Sequence, residues 1–238
     1  MSTNGGLLSH REILSEHIMS KRDRYIPALS FRWLTPLYAP LLRWGMREET
    51  FKHRLITQAN IQPGQRVLDL GCGTGTLTIL VKLLYPDANV VGLNGDAQVL
   101  EIANSKSVKA GVEITLDHGM AYRLPYPDSS FDRLLSSLVV HHLARGDKQR
   151  MMVEIYRCLR PAGELHIVDF GRPRGVYGTL ASHIIRRMER AADNIAGLLP
   201  GMMRAAGFGN VGDQGHLTTI FGTLSLYQDS KPGNKSWN

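Results

Sequence analysis

An apolar strand runs into a turn with three alternating glycines at residues 66–76, and a helical pattern follows. The segment reads Arg-Val-Leu-Asp-Leu-Gly-Cys-Gly-Thr-Gly-Thr, which places the glycines at Gly71, Gly73 and Gly75. Because glycine has no Cβ, the backbone of such a turn can bend sharply and press against a bound molecule. Asp69 at the end of the strand adds a carboxylate that can hold an ammonium group or an amide. The sequence therefore predicts a ligand-binding loop between a strand and a helix.

The spacing of the glycines argues against two common nucleotide sites. A dinucleotide-binding loop reads Gly-x-Gly-x-x-Gly, and Thr76 stands where its third glycine is needed. An NAD-dependent dehydrogenase is further disfavoured because Asn94, rather than an acid, follows the next strand. A phosphate-binding P-loop needs Gly-Lys-Ser or Gly-Lys-Thr, and neither follows the turn. The pattern that remains is Asp-x-Gly-x-Gly-x-Gly.

Strand and helix patterns alternate after the glycine turn. Such alternation predicts a parallel sheet with helices on both faces and with ligands at the carboxyl ends of the strands. A turn at Pro161-Ala162-Gly163 is expected before the fifth strand. The predicted strands are 66–70, 88–93, 112–116, 131–136 and 164–170, and the predicted helices between them are 75–85, 96–110 and 146–159.

The last third of the chain continues with two helical patterns and two strands. Helices are predicted at 177–196 and 199–206, the second ending at Gly207. The strands, 211–218 and 219–227, are so close in sequence that a hairpin at the edge of the sheet is expected.

Three regions are expected along the chain. Residues 1–62 are predicted to form an N-terminal helical cap or lid, with an aromatic segment at 31–46 and a helix at 47–60. The ligand-binding domain is predicted to span 63–228, and 229–238 is expected to be a flexible tail.

Composition limits the function classes. A chain of 238 residues with 43% hydrophobic residues can form one α/β domain with additions. The net charge of +7 invites a nucleic-acid interpretation, but no nucleic-acid-binding module accompanies the basic residues. A solvated basic face is therefore preferred, with a weakly acidic substrate or an anionic membrane surface as the next interpretation. The basic clusters are Lys21, Arg22, Arg24 and Arg32, and then Arg186, Arg187 and Arg190.

Cysteines and leader signals give further expectations. Cys72 and Cys158 are too few for a disulfide framework, and no clustered ligands accompany them, so no metal site is expected. The N-terminus lacks the apolar core of a signal peptide, and no stretch reaches the roughly 20 apolar residues of a membrane span. A cytoplasmic location is expected.

Three further stretches carry a family resemblance. Residues 124–132 read Leu-Pro-Tyr-Pro-Asp-Ser-Ser-Phe-Asp, residues 136–143 read Ser-Ser-Leu-Val-Val-His-His-Leu, and residues 159–165 read Leu-Arg-Pro-Ala-Gly-Glu-Leu. With the glycine turn, they resemble the class I S-adenosylmethionine-dependent methyltransferases, most closely the ubiquinone and menaquinone biosynthesis C-methyltransferase branch. The resemblance implies a Rossmann-like, seven-stranded sheet, mostly parallel with an antiparallel C-terminal strand.

The resemblance also implies a cofactor site. S-adenosyl-L-methionine would be the cofactor and S-adenosyl-L-homocysteine the product. Gly71 and Gly73 would line the methionine end of the cofactor, and Asp69 would help to hold its amino group. The residues implied at this site are Asp69, Gly71, Cys72, Gly73, Thr74, Gly75, Asn94, Gly95, Met120, Ala121 and Ser137.

Two of these residues depart from the family pattern. Asn94 stands where an acid usually accepts hydrogen bonds from both ribose hydroxyls, so the charge-assisted part of that interaction is lost. Met120 replaces an Asp that usually accepts from the adenine amino group, which leaves backbone groups, Asp117 or His118 as acceptors. One interpretation is that the two substitutions are neutral and the pocket still binds the usual cofactor. The other is that they adapt the pocket to a modified cofactor or to a protein without catalysis.

Candidate catalytic residues follow the fourth strand. His141 and His142 can orient or deprotonate an acceptor, although packing is an equal alternative. Asp169 is a second titratable candidate. The aromatic segment 31–46 is interpreted as packing on the sheet, as a wall of the acceptor site or as a membrane-surface element. The predicted function is methyl transfer to a small, apolar or aromatic acceptor; the alternative is a non-catalytic protein that binds S-adenosylmethionine or a nucleoside.

Overall fold

Seven strands form one sheet in the order β3-β2-β1-β4-β5-β7-β6. The structure is a computed structural model that describes residues 48–188 and 190–233. Strands β1 to β5 are parallel to one another, whereas β7 runs antiparallel to both β5 and β6. This arrangement confirms the predicted mixed sheet and the hairpin at its edge. The strands are β1 Arg66–Leu70, β2 Asn89–Asn94, β3 Thr115–His118, β4 Phe131–Ser137, β5 Leu159–Phe170, β6 Gly212–Thr219 and β7 Gly222–Ser230.

Helices alternate with the parallel strands. Asp96 begins the third helix by accepting from the backbone amides of Gln98 and Val99, and Gly111 ends it with a φ of 66°. The helices are α1 Glu48–Ala59, α2 Thr76–Leu84, α3 Ala97–Ala110, α4 Arg145–Cys158, α5 Gly175–Met188, α6 Ala192–Ile195 and α7 Leu199–Ala205, with a 3₁₀ turn at Val140–His142.

Neighbouring strand residues face opposite sides of the sheet and feed two hydrophobic cores. Leu134 packs with Met151 of α4 and Met203 of α7 on one side. Leu135 packs with Phe51 of α1 and Leu77 of α2 on the other side. All six side chains are nearly inaccessible to solvent. The period of two along the central strand therefore explains why helices cover both faces.

Two predicted elements differ from the structure. The third strand begins at Thr115 rather than at residue 112, because the amide of Val112 still bonds to the carbonyl of Ser107 in the helix end. The helix predicted over 177–196 is divided into α5 and α6. The carbonyl of Arg190 between them accepts from Nζ of Lys148, so a buried side chain uses a group that a continuous helix would need.

The predicted turn at residues 161–163 is instead a bulge inside β5. Phe131 pairs with Leu159 and Arg133 pairs with Glu164. The segment of β5 between these two pairs is longer than the segment of β4 opposite it, and its extra residues form the bulge. Ala162 has a φ of 64° within this bulge. Its amide donates to the carbonyl of Lys231, which ties the bulge to the chain after β7.

The predicted region boundaries need one correction. β7 continues to Ser230, which pairs with Glu164, so the proposed tail cannot begin at residue 229. Helix α1, assigned to the cap, packs on the sheet through Phe51 and Leu55. Residues 1–47, with the aromatic segment and the first basic cluster, lie outside the described residues, as do 234–238 and the side chains of residues 186 and 187. None of the helices in the described ranges has the length and apolar character to cross a membrane.

Candidate functional site

The glycine loop is held between β2 and the segment after β4. The amides of Gly71 and Cys72 both donate to the carbonyl of Leu93, over 2.8 and 3.0 Å. Gly71 has a φ of 74°, and a Cβ there would lie 2.3 Å from Cγ2 of Val139. Only glycine fits this contact without displacing the neighbouring segment.

The same loop is open at its next glycine. Gly73 has a φ of 54°, and a Cβ built there would meet no described atom within 4 Å. The amide of Gly75 donates to the carbonyl of Cys72 over 3.0 Å, and Gly75 then begins α2 with a φ of 75°. The turn is therefore closed by its own backbone while its surface at Gly73 stays accessible to a ligand.

Asp69 lies beneath the loop. Its Oδ2 accepts from the hydroxyl of Thr78 over 2.7 Å, and the residue is 1% exposed. Burial raises the pKa of Asp69 to about 6, although the Thr78 hydrogen bond and the charge of Lys52 act in the opposite direction. One carboxylate oxygen is thus already used within the protein, and the role of Asp69 in holding an amino group stays a prediction.

Two other loop residues have protein partners. Nζ of Lys106 on α3 donates to Oγ1 of Thr74 over 2.6 Å, which fastens the loop to that helix. Burial, together with the charge of Asp69, raises the pKa of the Cys72 thiol well above its ordinary range. Cys72 is therefore a protonated packing residue rather than a nucleophile. In the described ranges, no cluster of His, Cys, Asp or Glu has the arrangement of a metal site.

The ends of β2 and β3 bring the second group of predicted residues together. The carbonyl of Asn94 accepts from the amide of Gly119 over 3.0 Å, which places Met120 and Ala121 close to Asn94 and Gly95. Asn94 is 9% exposed. This edge therefore carries an amide and a thioether where the resemblance implies two carboxylates.

The alternative acceptors at this edge also have partners. Oδ2 of Asp117 accepts from the hydroxyl of Tyr126 over 2.8 Å. Nε2 of His118 lies 3.2 Å from the carbonyl oxygen of Gly95. Binding of an adenine by Asp117 would therefore compete with an existing hydrogen bond.

The segment after β4 joins the glycine loop to β5, because β4 lies between β1 and β5 in the sheet. Oδ2 of Asp169 accepts from the amide of Val140 over 2.8 Å, and Oδ1 lies 2.9 Å from Nδ1 of His141. Asp169 is fully buried and His141 is 5% exposed. Burial alone would raise the pKa of Asp169, but the charge and hydrogen bond of His141 outweigh it and lower the pKa.

Aromatic contacts fix the plane of His141. Its ring lies 4.0 Å from the ring of His142 and 4.9 Å from that of Phe170, between centroids. Ser137, another predicted site residue, pairs with Val168 at the end of β4. The structure thus brings His141 and Asp169 together, as an acid and base pair at the edge that carries the glycine loop.

Two buried residues of this region were missed by the sequence analysis. Nδ2 of Asn194 donates to Oδ1 of Asp169 over 3.0 Å, and Nζ of Lys148 donates to Oδ1 of Asn194 over 2.7 Å. Lys148 is 0% exposed. Lys148 precedes Met151, Met152 and Ile155 at helical spacing, which places it on the apolar face of α4. This spacing can be read from the sequence and indicates that the lysine is buried.

Comparison with known proteins assigns the family. The protein-family model described as a methyltransferase domain matches residues 67–163. The demethylmenaquinone methyltransferase of Deinococcus radiodurans is 31% identical over 165 residues, which are 60% of this chain and 68% of that protein. The chain belongs to the S-adenosylmethionine-dependent methyltransferase family. The demethylmenaquinone methyltransferase of Lactobacillus johnsonii is 36% identical to this methyltransferase over 132 residues. The aligned region covers 54% of this chain and 51% of that protein.

The extent of these matches differs. The chain spans 51%, 59% and 50% of the length of three curated relatives that it matches. The solved structure of the S-adenosylmethionine-dependent methyltransferase SibL aligns with a TM-score of 0.64 and 18% identity, covering 87% of this chain and 60% of SibL. At this identity the likeness shows the fold alone.

The observed loop fits one half of the family's cofactor. The open face at Gly73, with its positive φ, suits close contact with the methionine end of S-adenosylmethionine. If Asn94 and Met120 face the adenosine end, as the resemblance implies, they would offer it a neutral amide and no strong acceptor. The open loop therefore fits the methionine end of the cofactor, and a site formed by Asn94 and Met120 would give the ribose and adenine fewer charged contacts.

Proposed function

We propose that this chain transfers the methyl group of S-adenosylmethionine to a small, apolar or aromatic acceptor. The observation that carries the proposal is the adjacency of two features at one sheet edge. Val139 contacts Gly71 of the open glycine loop, and the next residues bind Asp169 through the Val140 amide and the His141 ring. A cofactor loop and a buried acid and base pair thus share one short segment.

The cofactor would be held mainly by backbone groups. Gly71, Gly73 and Gly75 would allow close approach at its methionine end, and the side-chain oxygen of Asn94 would accept from one ribose hydroxyl. When bound, S-adenosylmethionine supplies a methyl group made electrophilic by its positively charged sulfur. The protein has to hold the acceptor in line with that methyl group and to exclude water.

His141 is the candidate base. A base is needed only if the acceptor arrives with a proton on the atom that becomes the nucleophile, or on a hydroxyl that activates it. Asp169 holds Nδ1 of His141, so Nε2 is the ring atom that can take this proton. His142 lies against His141 and would help to orient its ring. The names of the relatives, demethylmenaquinone methyltransferases, favour an aromatic acceptor.

A second candidate function is binding without catalysis. Asn94 and Met120, which replace the two carboxylates of the family pattern, favour it. Such a protein would bind S-adenosylmethionine or a nucleoside and transfer no methyl group. The two functions differ in turnover rather than in fold.

Calorimetry followed by turnover separates them. Titration with S-adenosylmethionine and with S-adenosylhomocysteine should give saturable binding, which the variant Gly73→Val should abolish. Acceptor screening with methyl-labelled cofactor should then give labelled product, less of it with His141→Gln. Binding without transfer to any apolar or aromatic acceptor would favour the second function, and absence of binding to either ligand would contradict methyl transfer.

A further inference from the structure

A chain of buried polar groups leads from α4 to His141. Nζ of Lys148 donates to the carbonyl of Arg190 over 2.7 Å and to Oδ1 of Asn194 over 2.7 Å. Asn194 is 0% exposed, like Lys148. Lysine can only donate hydrogen bonds, so the oxygen of the Asn194 amide has to face it. The orientation of this amide is therefore set by Lys148.

The opposite side of the amide faces Asp169. With its oxygen directed at Lys148, Asn194 presents Nδ2 as a donor, and this atom lies 3.0 Å from Oδ1 of Asp169. The same carboxylate accepts from the backbone amides of Phe170 over 2.7 Å and Val140 over 2.8 Å. Three donors besides His141 thus point at Asp169. A carboxylate so surrounded is held in its ionised form, which only accepts hydrogen bonds.

The ring of His141 must then donate. Since Asp169 accepts, the hydrogen of a neutral His141 ring lies on Nδ1, 2.9 Å from Oδ1 of Asp169. The lone pair of the neutral ring is consequently on Nε2. In the described part of the chain, no residue forms a hydrogen bond with Nε2.

We propose that Lys148 and Asn194 are positioning residues that hold His141 in its Nδ1–H tautomer and so keep Nε2 available as the proton acceptor of methyl transfer. This inference deepens the proposed function and rests on it for its catalytic meaning. The two residues act through Asp169, and both side chains are fully buried.

The charged groups around His141 come from several elements. Asp169 on β5 contacts its ring directly, and His142 stacks on it. Nζ of Lys148 lies 3.7 Å from Oδ2 of Asp193 on α6, and Arg145 pairs with the same aspartate. Removal of Lys148 therefore removes a charge and the hydrogen bond to the Asn194 amide. Removal of Arg145 also removes a charge, with its hydrogen bonds to Asp193, but leaves the Lys148–Asn194 hydrogen bond in place.

The tautomer can be measured by nitrogen NMR of the full chain labelled at histidine. The His141 signals are assigned by their absence from His141→Gln, and the ring is observed above its titration midpoint. Wild-type protein should show a protonated Nδ1 and an unprotonated Nε2. Lys148→Met should give a mixture of tautomers, because the Asn194 amide can then turn, and the control Arg145→Met should retain the wild-type signals. A protonated Nε2 in wild-type protein, or unchanged signals in Lys148→Met, would overturn the proposal.

A second variant covers failure of Lys148→Met to fold. Asn194→Asp keeps the size of the side chain and can still accept from Lys148, but it replaces a donor to Asp169 by a second carboxylate. Without the Asn194 donor the nitrogen signals of His141 should become a mixture of tautomers, as in Lys148→Met. Signals identical to those of wild-type protein would count against the proposal.

Kinetic measurements test whether this relay, the hydrogen-bond chain from Lys148 through Asn194 and Asp169 to His141, contributes to methyl transfer. In both variants we expect kcat to fall by about tenfold or more, while KM for S-adenosylmethionine stays within about twofold of wild type. The fall in kcat should follow the loss of the Nδ1–H tautomer measured by NMR. Normal tautomer signals without any methyl transfer would contradict the proposed function alone, whereas transfer that is unaffected in both variants would contradict the relay alone.

Discussion

Thr78 donates its hydroxyl hydrogen to Oδ2 of Asp69 over 2.7 Å, across the turn that contains all three glycines of the loop. Both side chains are buried. The bond connects the strand before the loop with the helix after it, and it supplies a donor to a carboxylate that burial destabilises. The glycine loop is thus closed at its base by a side-chain pair as well as by its backbone.

Replacing Thr78 with valine should destabilise the protein in a pH-dependent way. Loss of the bond leaves a buried carboxylate short of a donor, and the free energy of unfolding should fall by about 1–3 kcal/mol. Since the pKa of Asp69 is raised to about 6, the loss should be greater above that pH, where the carboxylate is ionised. Urea unfolding on both sides of this pH measures the effect.

Thr78→Ser is the matched control, because it keeps the hydroxyl and removes only a methyl group. Its destabilisation should be the same at both pH values. Equal pH dependence in the serine and valine variants would contradict a stabilising role for the hydroxyl.

Gly71 and Gly73 should respond differently to alanine. Gly71→Ala forces a Cβ to within 2.3 Å of Val139, so folding itself should be weakened. Gly73→Ala has open space around the new Cβ and should fold with a loss limited to about 1–2 kcal/mol from its positive φ, but it should bind S-adenosylmethionine much more weakly. Thermal unfolding and calorimetry distinguish the two effects.

A double variant tests the cause of the Gly71 effect. Gly71→Ala combined with Val139→Ala removes both Cγ atoms that the new Cβ would meet and should recover part of the lost stability. No recovery would mean that backbone strain, rather than the Val139 contact, dominates. Gly73→Ala binding cofactor as tightly as wild type would contradict the assignment of the open face.

Asn94→Asp should strengthen binding of S-adenosylmethionine. A carboxylate accepts hydroxyl hydrogen bonds about twice as strongly as a neutral amide, and a gain of about 1.4 kcal/mol corresponds to tenfold tighter binding. Asn89→Asp, at the exposed start of the same strand, is the control for added charge and should leave the affinity unchanged. Equal affinities in all three proteins would show that residue 94 does not contact the ribose.

The sequence predicted the features that depend on neighbouring residues. The strand, turn and helix around Gly73 follow from local apolar spacing and glycine, and Asp96 begins its helix as a capping residue should. The turn expected at Ala162 became a bulge because Lys231, far along the chain, bonds to its amide. The residues around Ala162 give no indication of this hydrogen bond to Lys231.

The candidate site shows the same limit. The position of His141 after a strand predicted that it would lie at the ligand-binding edge, but its pairing with Asp169 depends on the packing of β4 beside β5. Lys148 and Asn194 are 46 residues apart, and each is an ordinary helical residue by itself. Their meeting in the core depends on how α4 and α6 pack, which no local spacing specifies.

Ala162→Gly should stabilise the protein. Ala162 has a φ of 64°, a conformation that costs a residue with a Cβ about 1–2 kcal/mol and costs glycine almost nothing. The greater freedom of glycine in the unfolded chain offsets part of this gain, so an increase of about 0.5–1 kcal/mol is expected. Denaturant unfolding measures it. Gly163→Ala should lower the free energy of unfolding, because its Cβ would lie 2.9 Å from the carbonyl oxygen of Arg160. A lower free energy of unfolding in Ala162→Gly would show that the backbone of Ala162 is not strained.

His166 should make the protein less stable in mild acid. It is 0% exposed, with Glu164 3.2 Å away, and burial lowers its pKa although Glu164 opposes this and Arg133 adds to it. The unfolded chain therefore binds a proton more readily than the folded protein, and stability is lost as the pH falls from about 6.5 through the folded pKa.

The variant His166→Gln removes this titration. Its free energy of unfolding should fall less steeply over the same pH range, by up to about 1.4 kcal/mol per pH unit less than wild type. His53→Gln, on the exposed side of α1, is the control and should retain the wild-type slope. Urea unfolding across the acid range supplies the comparison, and a His166→Gln slope equal to that of wild type would show that another group causes the acid sensitivity.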